Sequence, residues 1–133
     1  MKVYFVSGMG ADSRVFKHIR LPAGYEIEHL HWIPSIKNES LKSYAVRLSE
    51  KIVPGEPFAL LGLSMGGMIA AEIANHWKST FRFSPYITIL ISSVPVHKHL
   101  PPHFKISRLL GLYKIVPVRF LKSASFLKRF FLL

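Results

Sequence analysis

The sequence predicts an α/β fold built on a parallel sheet, and three observations lead to that prediction. Short runs of apolar, β-branched and aromatic residues read as buried strands. Segments with helical periodicity separate these runs, and glycine- or proline-rich turns mark several of the junctions. Strands that alternate with helices in this way favour a parallel sheet with helices on its faces. The predicted strands are residues 2–7, 25–32, 58–63 and 86–92.

The first predicted strand ends at Gly8, where a glycine-rich turn begins. Asp12 or Ser13 can cap a helix that runs through Ile19, because both side chains accept hydrogen bonds from the backbone of a first helical turn. A Pro-Ala-Gly turn follows. The next strand, residues 25–32, alternates between its two faces.

A second helix is predicted after residues 38–40, since its apolar residues recur every three or four positions and form one face. A sharp turn at residues 64–67 follows the strand 58–63, and a helix rich in alanine is predicted over residues 68–77. The last strand then leads to Val94, after which prolines mark a change of pattern. The apolar positions of the second helix are Leu41, Tyr44, Ala45, Leu48 and Ile52.

Composition narrows the classes of function. The chain has 133 residues, which suits a single domain, and it has no cysteine, which excludes disulfides, thiolate catalysis and cysteine-bound zinc. Of the 18 lysines and arginines, eight lie in residues 1–72 with all seven acidic residues, and ten lie in residues 73–133. This imbalance indicates either that an acidic C-terminal part is missing or that the chain meets an anionic partner. No pattern for nucleic-acid binding is present, and no cofactor is expected.

The segment Gly62-Leu63-Ser64-Met65-Gly66 matches the pattern G-x-S-x-G. In that pattern a serine lies on a strained turn from strand to helix, and its neighbours must be small so that the chain can fold back. The turn exposes the serine hydroxyl at the carboxyl end of the sheet. Because an apolar strand precedes the segment and a helix follows it, we interpret Ser64 as a catalytic nucleophile rather than as an incidental serine in a glycine-rich turn.

With this motif the chain resembles the α/β-hydrolases, in particular small bacterial esterase-like members, from Lys2 to the end of the sequence. The resemblance implies a partial sheet of about four strands, in the order 4-3-5-6 of the family's naming, truncated before the last strands. It also implies a core over residues 1–94 and the start of a helical cap over residues 95–133. The segment 90–94 resembles the family's sixth strand and its exit.

The segment 7–12, Ser-Gly-Met-Gly-Ala-Asp, is similar to the loop that helps to form the oxyanion hole in this family, with Ser7 in place of the usual histidine. The resemblance implies that the backbone N–H groups of Met9 and Met65 stabilise the oxyanion that develops on the substrate carbonyl. It implies Gly8 and Gly10 as glycines of this loop. The implied substrate is a small acyl compound, an ester, thioester or amide.

The family's triad has the order serine, acid, histidine. After Ser64 the only carboxylate is Glu72, in the predicted helix that leads away from the serine. The histidines after Ser64 are His76, late in that helix, and three in the loop beyond the last strand, where a catalytic role or an H-x-H-x₃-H metal site would need partners that the sequence does not show. We therefore expect no metal site and a largely inactive, truncated enzyme. These three loop histidines are His97, His99 and His103.

Two other interpretations remain open. A chain without catalysis could bind an anionic membrane surface through the basic, apolar segment 126–133, or could assemble with a separately encoded C-terminal half. The absence of a signal-like apolar stretch suggests a cytoplasmic protein. If the neighbouring strand is missing, residues 86–92 form an exposed edge, and we expect aggregation or dimerisation through it.

Overall fold

The computed structural model describes residues 1–93, which form a four-stranded parallel sheet with helices packed on it. The predicted fold class, a partial α/β sheet with flanking helices, is confirmed. The predicted segments 95–133 and 126–133 lie outside the described residues, as does Val94. In chain order the elements are β1 (Lys2–Val6), a 3₁₀ turn (Ser13–Phe16), β2 (Glu26–His29), α1 (Leu41–Ser49), β3 (Phe58–Leu63), α2 (Met65–Phe81) and β4 (Thr88–Ile91).

The strands lie in the order β2-β1-β3-β4, and every neighbouring pair is parallel. This is the predicted order 4-3-5-6. The two central strands, β1 and β3, pair along five residues, from Lys2 beside Phe58 to Val6 beside Gly62. Since the strands run in one direction, the loop after β1 and the turn after β3 meet at the same edge of the sheet.

Helices α1 and α2 pack on one face of the sheet and on each other. The alternating residues Tyr4, Val6, Phe58 and Leu60 of the central strands point to this face and are buried there. The periodic apolar residues of the second predicted helix are mostly buried against them, as the spacing predicts. Ser40 caps α1 by accepting a hydrogen bond from the N–H of Ser43 at 3.1 Å.

The opposite face of the sheet carries Val3, Phe5, Ala59 and Leu61, with Phe16 packed on Phe5 in an edge-to-face contact. The helix predicted through Ile19 is a single 3₁₀ turn, capped by Asp12. Its sequence buries only Phe16, so it has no continuous apolar face to stabilise further turns, and short helices are marginal without one. The prediction of a full helix was therefore wrong.

The boundaries of other elements also differ from the predictions. Helix α2 begins at Met65, three residues earlier than predicted, because Ser64 is itself the residue that precedes the first turn. It also continues to Phe81. Strands β2 and β4 are shorter than predicted, and both lie at edges of the sheet, where only one side can form ladder hydrogen bonds.

Strand β4 is the edge of the sheet beyond β3 within the described residues. The segment that leads into this strand and its first residues are largely apolar and open, since Tyr86 is 80% exposed and Ile87 and Ile89 are also exposed. This agrees with the expected apolar edge over residues 86–92, whereas self-association through it stays a prediction. Among the helices of the described residues, none has the length and apolar character needed to cross a membrane.

Candidate active site

Ser64 lies between the last residue of β3 and the first residue of α2, with no loop on either side. Its backbone has a φ of 54° and a ψ of −122°, a region that residues with a Cβ rarely occupy and that costs about 1–3 kcal/mol. The Ser64 N–H donates to the Ile91 carbonyl at 2.8 Å, and its carbonyl accepts from the N–H of Gly67 at 2.9 Å. These bonds hold the strained backbone from both sides, and the serine is left exposed.

The predicted glycines of this turn are required because the chain crosses other backbone there. A Cβ on Gly62 would overlap the Gly66 carbonyl oxygen, and a Cβ on Gly66 would overlap the carbonyl oxygens of Val6 and Ser7. Both glycines are buried. We call residues 62–67 the elbow. The close contacts of Gly62 and Gly66 are with backbone rather than with flexible side chains, so a larger residue at either position cannot be accommodated by a change of rotamer.

The elbow has a third required glycine that the five-residue pattern does not include. A Cβ on Gly67 would overlap the side chain of Ser93, which follows β4. The hydroxyl of Ser93 is buried and finds no hydrogen-bond partner among residues 1–93. The doubled glycine in Ser-Met-Gly-Gly was the available signal, because the first turn of a helix rarely needs two residues without side chains.

The loop after β1, residues 7–12, lies directly beside the elbow. A Cβ on Gly8 would be 3.5 Å from the Ser64 Cβ, which is an ordinary contact distance. Ser7 is buried, and its hydroxyl donates to the Ala11 carbonyl at 2.9 Å and accepts from Trp32 Nε1 at 3.1 Å. Gly10 has a φ of 74°, a left-handed conformation that favours glycine. We call residues 7–12 the β1 loop.

The structure brings the two predicted oxyanion residues together. The side chain of Met9 is 64% exposed at the tip of the β1 loop, and Met65 is the first residue of α2. Both line one cavity of about 300 Å³. Because Met65 opens a helix, its N–H is one of the groups at a helix N-terminus that have no partner within the helix, and such ends favour negative charge.

The other walls of this cavity come from the segment after β2 and from α1. They are mostly aromatic and aliphatic: Trp32, Ile33, Leu41 and Tyr44. Nothing in the sequence singles out these residues, since its patterns predict Trp32 in a strand and Tyr44 on the apolar face of a helix. Only their joint position beside Met9 and Met65 shows that they border the site.

Glu39 lies at the edge of the cavity and is paired with Arg47, at 2.7 Å between Glu39 Oε1 and Arg47 Nε. The hydrogen bond from Arg47 holds the pKa of Glu39 below its usual value, and a bond from the Ile36 N–H acts in the same direction. The carboxylate therefore stays ionised and hydrogen-bonded to Arg47 and Ile36, which makes it a structural group of this wall rather than a proton donor at neutral pH.

The histidines and the carboxylate that follow or flank the elbow do not complete a triad in the described residues. Glu72 is eight residues into α2 and His76 is twelve residues into it, about 12 Å and about 18 Å along the axis. His76 Nδ1 lies 3.2 Å from the Thr80 hydroxyl. His29 is stacked on Phe16, and burial lowers its pKa, which is the behaviour of a packed ring.

His31 lies near His29, with ring centroids 6.1 Å apart. Within residues 1–93, no group of three or more histidine, aspartate or glutamate side chains is placed to hold a metal ion. The three loop histidines of the sequence prediction, His97, His99 and His103, lie outside the described residues. That these histidines have no catalytic or metal-binding role stays a prediction.

Comparison with known proteins gives a structural relative. No protein-family model matches the chain, and no curated protein sequence matches it. The structure is similar to the crystal structure of human thioesterase 2, with a TM-score of 0.53 and 25% sequence identity. The match covers 93% of this chain and 58% of the thioesterase, so the chain spans less than two thirds of that protein. This chain thus has a hydrolase-like α/β fold that corresponds to part of a thioesterase.

Proposed function

We propose that this chain carries the nucleophile and the oxyanion hole of a serine hydrolase that acts on acyl compounds. The observation that carries the proposal is the backbone of Ser64, strained at positive φ between β3 and α2, with an exposed side chain. A residue with a Cβ is strained in such a conformation, and strain of this kind clusters at functional sites, so it supports a role for the Ser64 side chain. The similarity to a thioesterase supports a thioester or an ester as the substrate.

The proposed chemistry is addition of the Ser64 hydroxyl to the carbonyl carbon of the substrate. The serine oxygen forms a bond to that carbon, the hydroxyl proton passes to a base, and the carbonyl electron pair moves to oxygen. The N–H groups of Met9 and Met65 would then donate to this oxygen, where a removed donor typically costs about 10²–10³-fold in rate. Collapse of the intermediate expels the thiolate, alkoxide or amine and leaves an acyl-serine.

The base and the acid are the parts that the described residues do not supply. Glu72 and His76 lie along α2, too far from Ser64 to take its proton. No aspartate or glutamate follows Glu72 in the sequence. We propose that these 133 residues alone have low activity, and that full activity requires an acid and a histidine from further polypeptide. Without a base the oxyanion hole can still contribute, as it does in proteases that lack their triad residues.

Labelling with a fluorophosphonate across a range of pH tests this proposal. If Ser64 reacts without a general base, its labelling is slow at neutral pH and rises about tenfold per pH unit, since the reactive species is the alkoxide. A histidine base would instead give a plateau above its own pKa, about 6.5. The measurement is the labelling rate of the full chain by mass spectrometry, from neutral to alkaline pH.

Two variants serve as controls for that measurement. Ser64→Ala keeps a Cβ at the strained position and should lose the labelling, whereas Ser43→Ala removes an exposed serine of α1 and should label like the parent chain. Equal labelling of Ser64→Ala and the parent would overturn the assignment of the nucleophile. Fast labelling with a plateau near neutral pH would overturn the proposal that a base is lacking.

A further inference from the structure

We propose that the cavity beside the elbow binds the uncharged, apolar chain of the acyl substrate, so that Trp32 and its neighbours set substrate choice. The proposal rests on the proposed function, since it places the reacting carbonyl at Ser64. Its basis is a separate observation, the chemistry of the cavity walls. Met9 and Met65 contribute to both features, with their backbone N–H groups proposed for the oxyanion and their side chains lining the cavity.

The walls are largely hydrocarbon, and three of the polar side chains that line them, those of Trp32, Tyr44 and Glu39, already have partners inside the protein. Trp32 Nε1 donates to Ser7, and the Tyr44 hydroxyl donates to the Ile33 carbonyl and accepts from the Ile33 N–H, both at 2.9 Å. The Glu39 carboxylate accepts from Arg47 and from the N–H of Ile36. Away from the hydroxyls of Ser35 and Ser40, a polar ligand group that entered would lose water without finding a partner, which costs free energy. The cavity therefore favours an apolar ligand.

The volume of about 300 Å³ lies at the lower end of the range for small-ligand pockets. It suits a short or medium-length chain better than a long one. Two of the lining residues are methionines, whose side chains are flexible and adapt to ligands of different shape. A carbonyl held by the N–H groups of residues 9 and 65 would have its substituent beside the cavity that the same two residues line.

Fluorescence of Trp32 can test this without any catalysis. The chain has two tryptophans, and Trp77→Phe removes the other one, which is buried against Phe58 far along α2. In this background, methyl ketones from butanone to dodecanone supply a carbonyl and an uncharged chain but no leaving group. We expect a saturable change in Trp32 emission that is strongest for an intermediate length. No saturable change with any of the ketones would overturn the proposal.

A blocking variant and a matched control separate the cavity from nonspecific adsorption. Ser35 is exposed at the rim of the cavity, so Ser35→Phe can fill it without disturbing the core, and it should weaken ketone binding by about tenfold or more. Ser43→Phe adds the same group to the exposed side of α1 and should bind like the parent. Equal affinities in these two variants would overturn the proposal, with far-ultraviolet circular dichroism confirming that both are folded.

The outcome is distinguishable from failure of the proposed function. If ketones bind and Ser35→Phe blocks them, while Ser64 shows no labelling at any pH, the binding role of the cavity is supported and the assignment of Ser64 as nucleophile is overturned. If Ser64 is labelled but ketones do not bind, the assignment of the nucleophile is supported and the proposed binding role of the cavity is overturned. Ser64→Ala should keep the ketone affinity, since the chain rather than the hydroxyl is what the cavity contacts.

Discussion

At the carboxyl edge of the sheet the chain passes from a strand into a helical segment at two neighbouring junctions, and the two junctions are built differently. After β3 the chain enters α2 through the single strained residue Ser64, and glycines on either side pack against backbone. After β1 it enters the 3₁₀ turn through the six-residue β1 loop, where a Cβ on Gly8 would make only an ordinary contact and one on Gly10 would meet nothing. The elbow is fixed by close packing, and the β1 loop is fixed by hydrogen bonds.

This difference bears on the proposed reaction. A nucleophile must be held within a fraction of an ångström, which close backbone contacts achieve because they leave no alternative position. An oxyanion donor on a loop depends instead on side-chain bonds such as those of Ser7, which residue substitution can tune. We therefore expect the elbow to tolerate almost no substitution and the β1 loop to tolerate several with graded effects.

The largest expected effect is that of Gly66→Ala. Its Cβ would overlap the carbonyl oxygens of Val6 and Ser7, so β1 and α2 must separate or the elbow must unfold locally. Overpacking against side chains costs about 1–3 kcal/mol, and backbone gives way less easily. We expect a loss of about 3 kcal/mol or more in the free energy of unfolding, measured by urea denaturation, which is a large part of a typical domain's stability.

The matched control is Gly8→Ala in the neighbouring β1 loop. At 3.5 Å from the nearest atoms its Cβ makes ordinary contacts, and its φ is not in the left-handed region. We expect a change within about 0.5 kcal/mol. Similar losses for the two variants would show that the junctions do not differ as described.

A smaller effect is expected from the hydrogen bonds that hold the β1 loop. Ser7→Ala removes the bond to the Ala11 carbonyl and leaves Trp32 Nε1 without its acceptor, at a cost of about 1–3 kcal/mol. Trp32→Phe removes the donor instead. If the bond couples them, the double variant loses less than the sum of the single losses, by about 0.5–1 kcal/mol in urea unfolding of the four proteins.

Ser49 provides the control for that cycle. It is a buried serine whose hydroxyl donates to the Val46 carbonyl of its own helix at 2.7 Å. Ser49→Ala combined with Trp32→Phe should be additive, because the two side chains share no hydrogen bond. Additivity of Ser7→Ala with Trp32→Phe would contradict the account of the β1 loop as a hydrogen-bonded unit.

The contrast between the junctions also explains which features the sequence predicts. The elbow is local: a strand, five residues of pattern and a helix follow one another in the chain, so Ser64, Gly62 and Gly66 could be identified from their order alone. The elbow prediction depends on neighbours in sequence, whereas the strand order joins distant residues and was implied by the family resemblance. The structure agrees with the placement of both.

The features that the sequence does not reveal depend on residues far apart in the chain. The bond between Ser7 and Trp32 joins positions 25 residues apart, and the cavity wall combines the β1 loop, α1 and the elbow. No periodic pattern in the sequence indicates that these distant residues are in contact. The error in the helix predicted after Asp12 has a related cause, since the sequence does not show that Phe16, packed on Phe5, is the one buried residue of that 3₁₀ turn.

The smallest expected effect is a pH dependence confined to one junction. Arg14 donates to the Asp12 carboxylate through its side chain and its backbone N–H, and these bonds hold the pKa of Asp12 below its usual value. A lowered pKa means that the cap contributes fully above the usual value, about 3.9, and is lost as the pH falls through the lower folded value. Residues 62–68 contain no ionisable side chain. The amide of Arg14 should therefore lose protection against hydrogen exchange in acid, compared with the same amide in Asp12→Asn. The amide of Gly67 should keep its protection in both proteins. Loss of protection at both sites would show that the two junctions open together, and loss at neither would show that the Asp12 carboxylate does not protect the Arg14 amide.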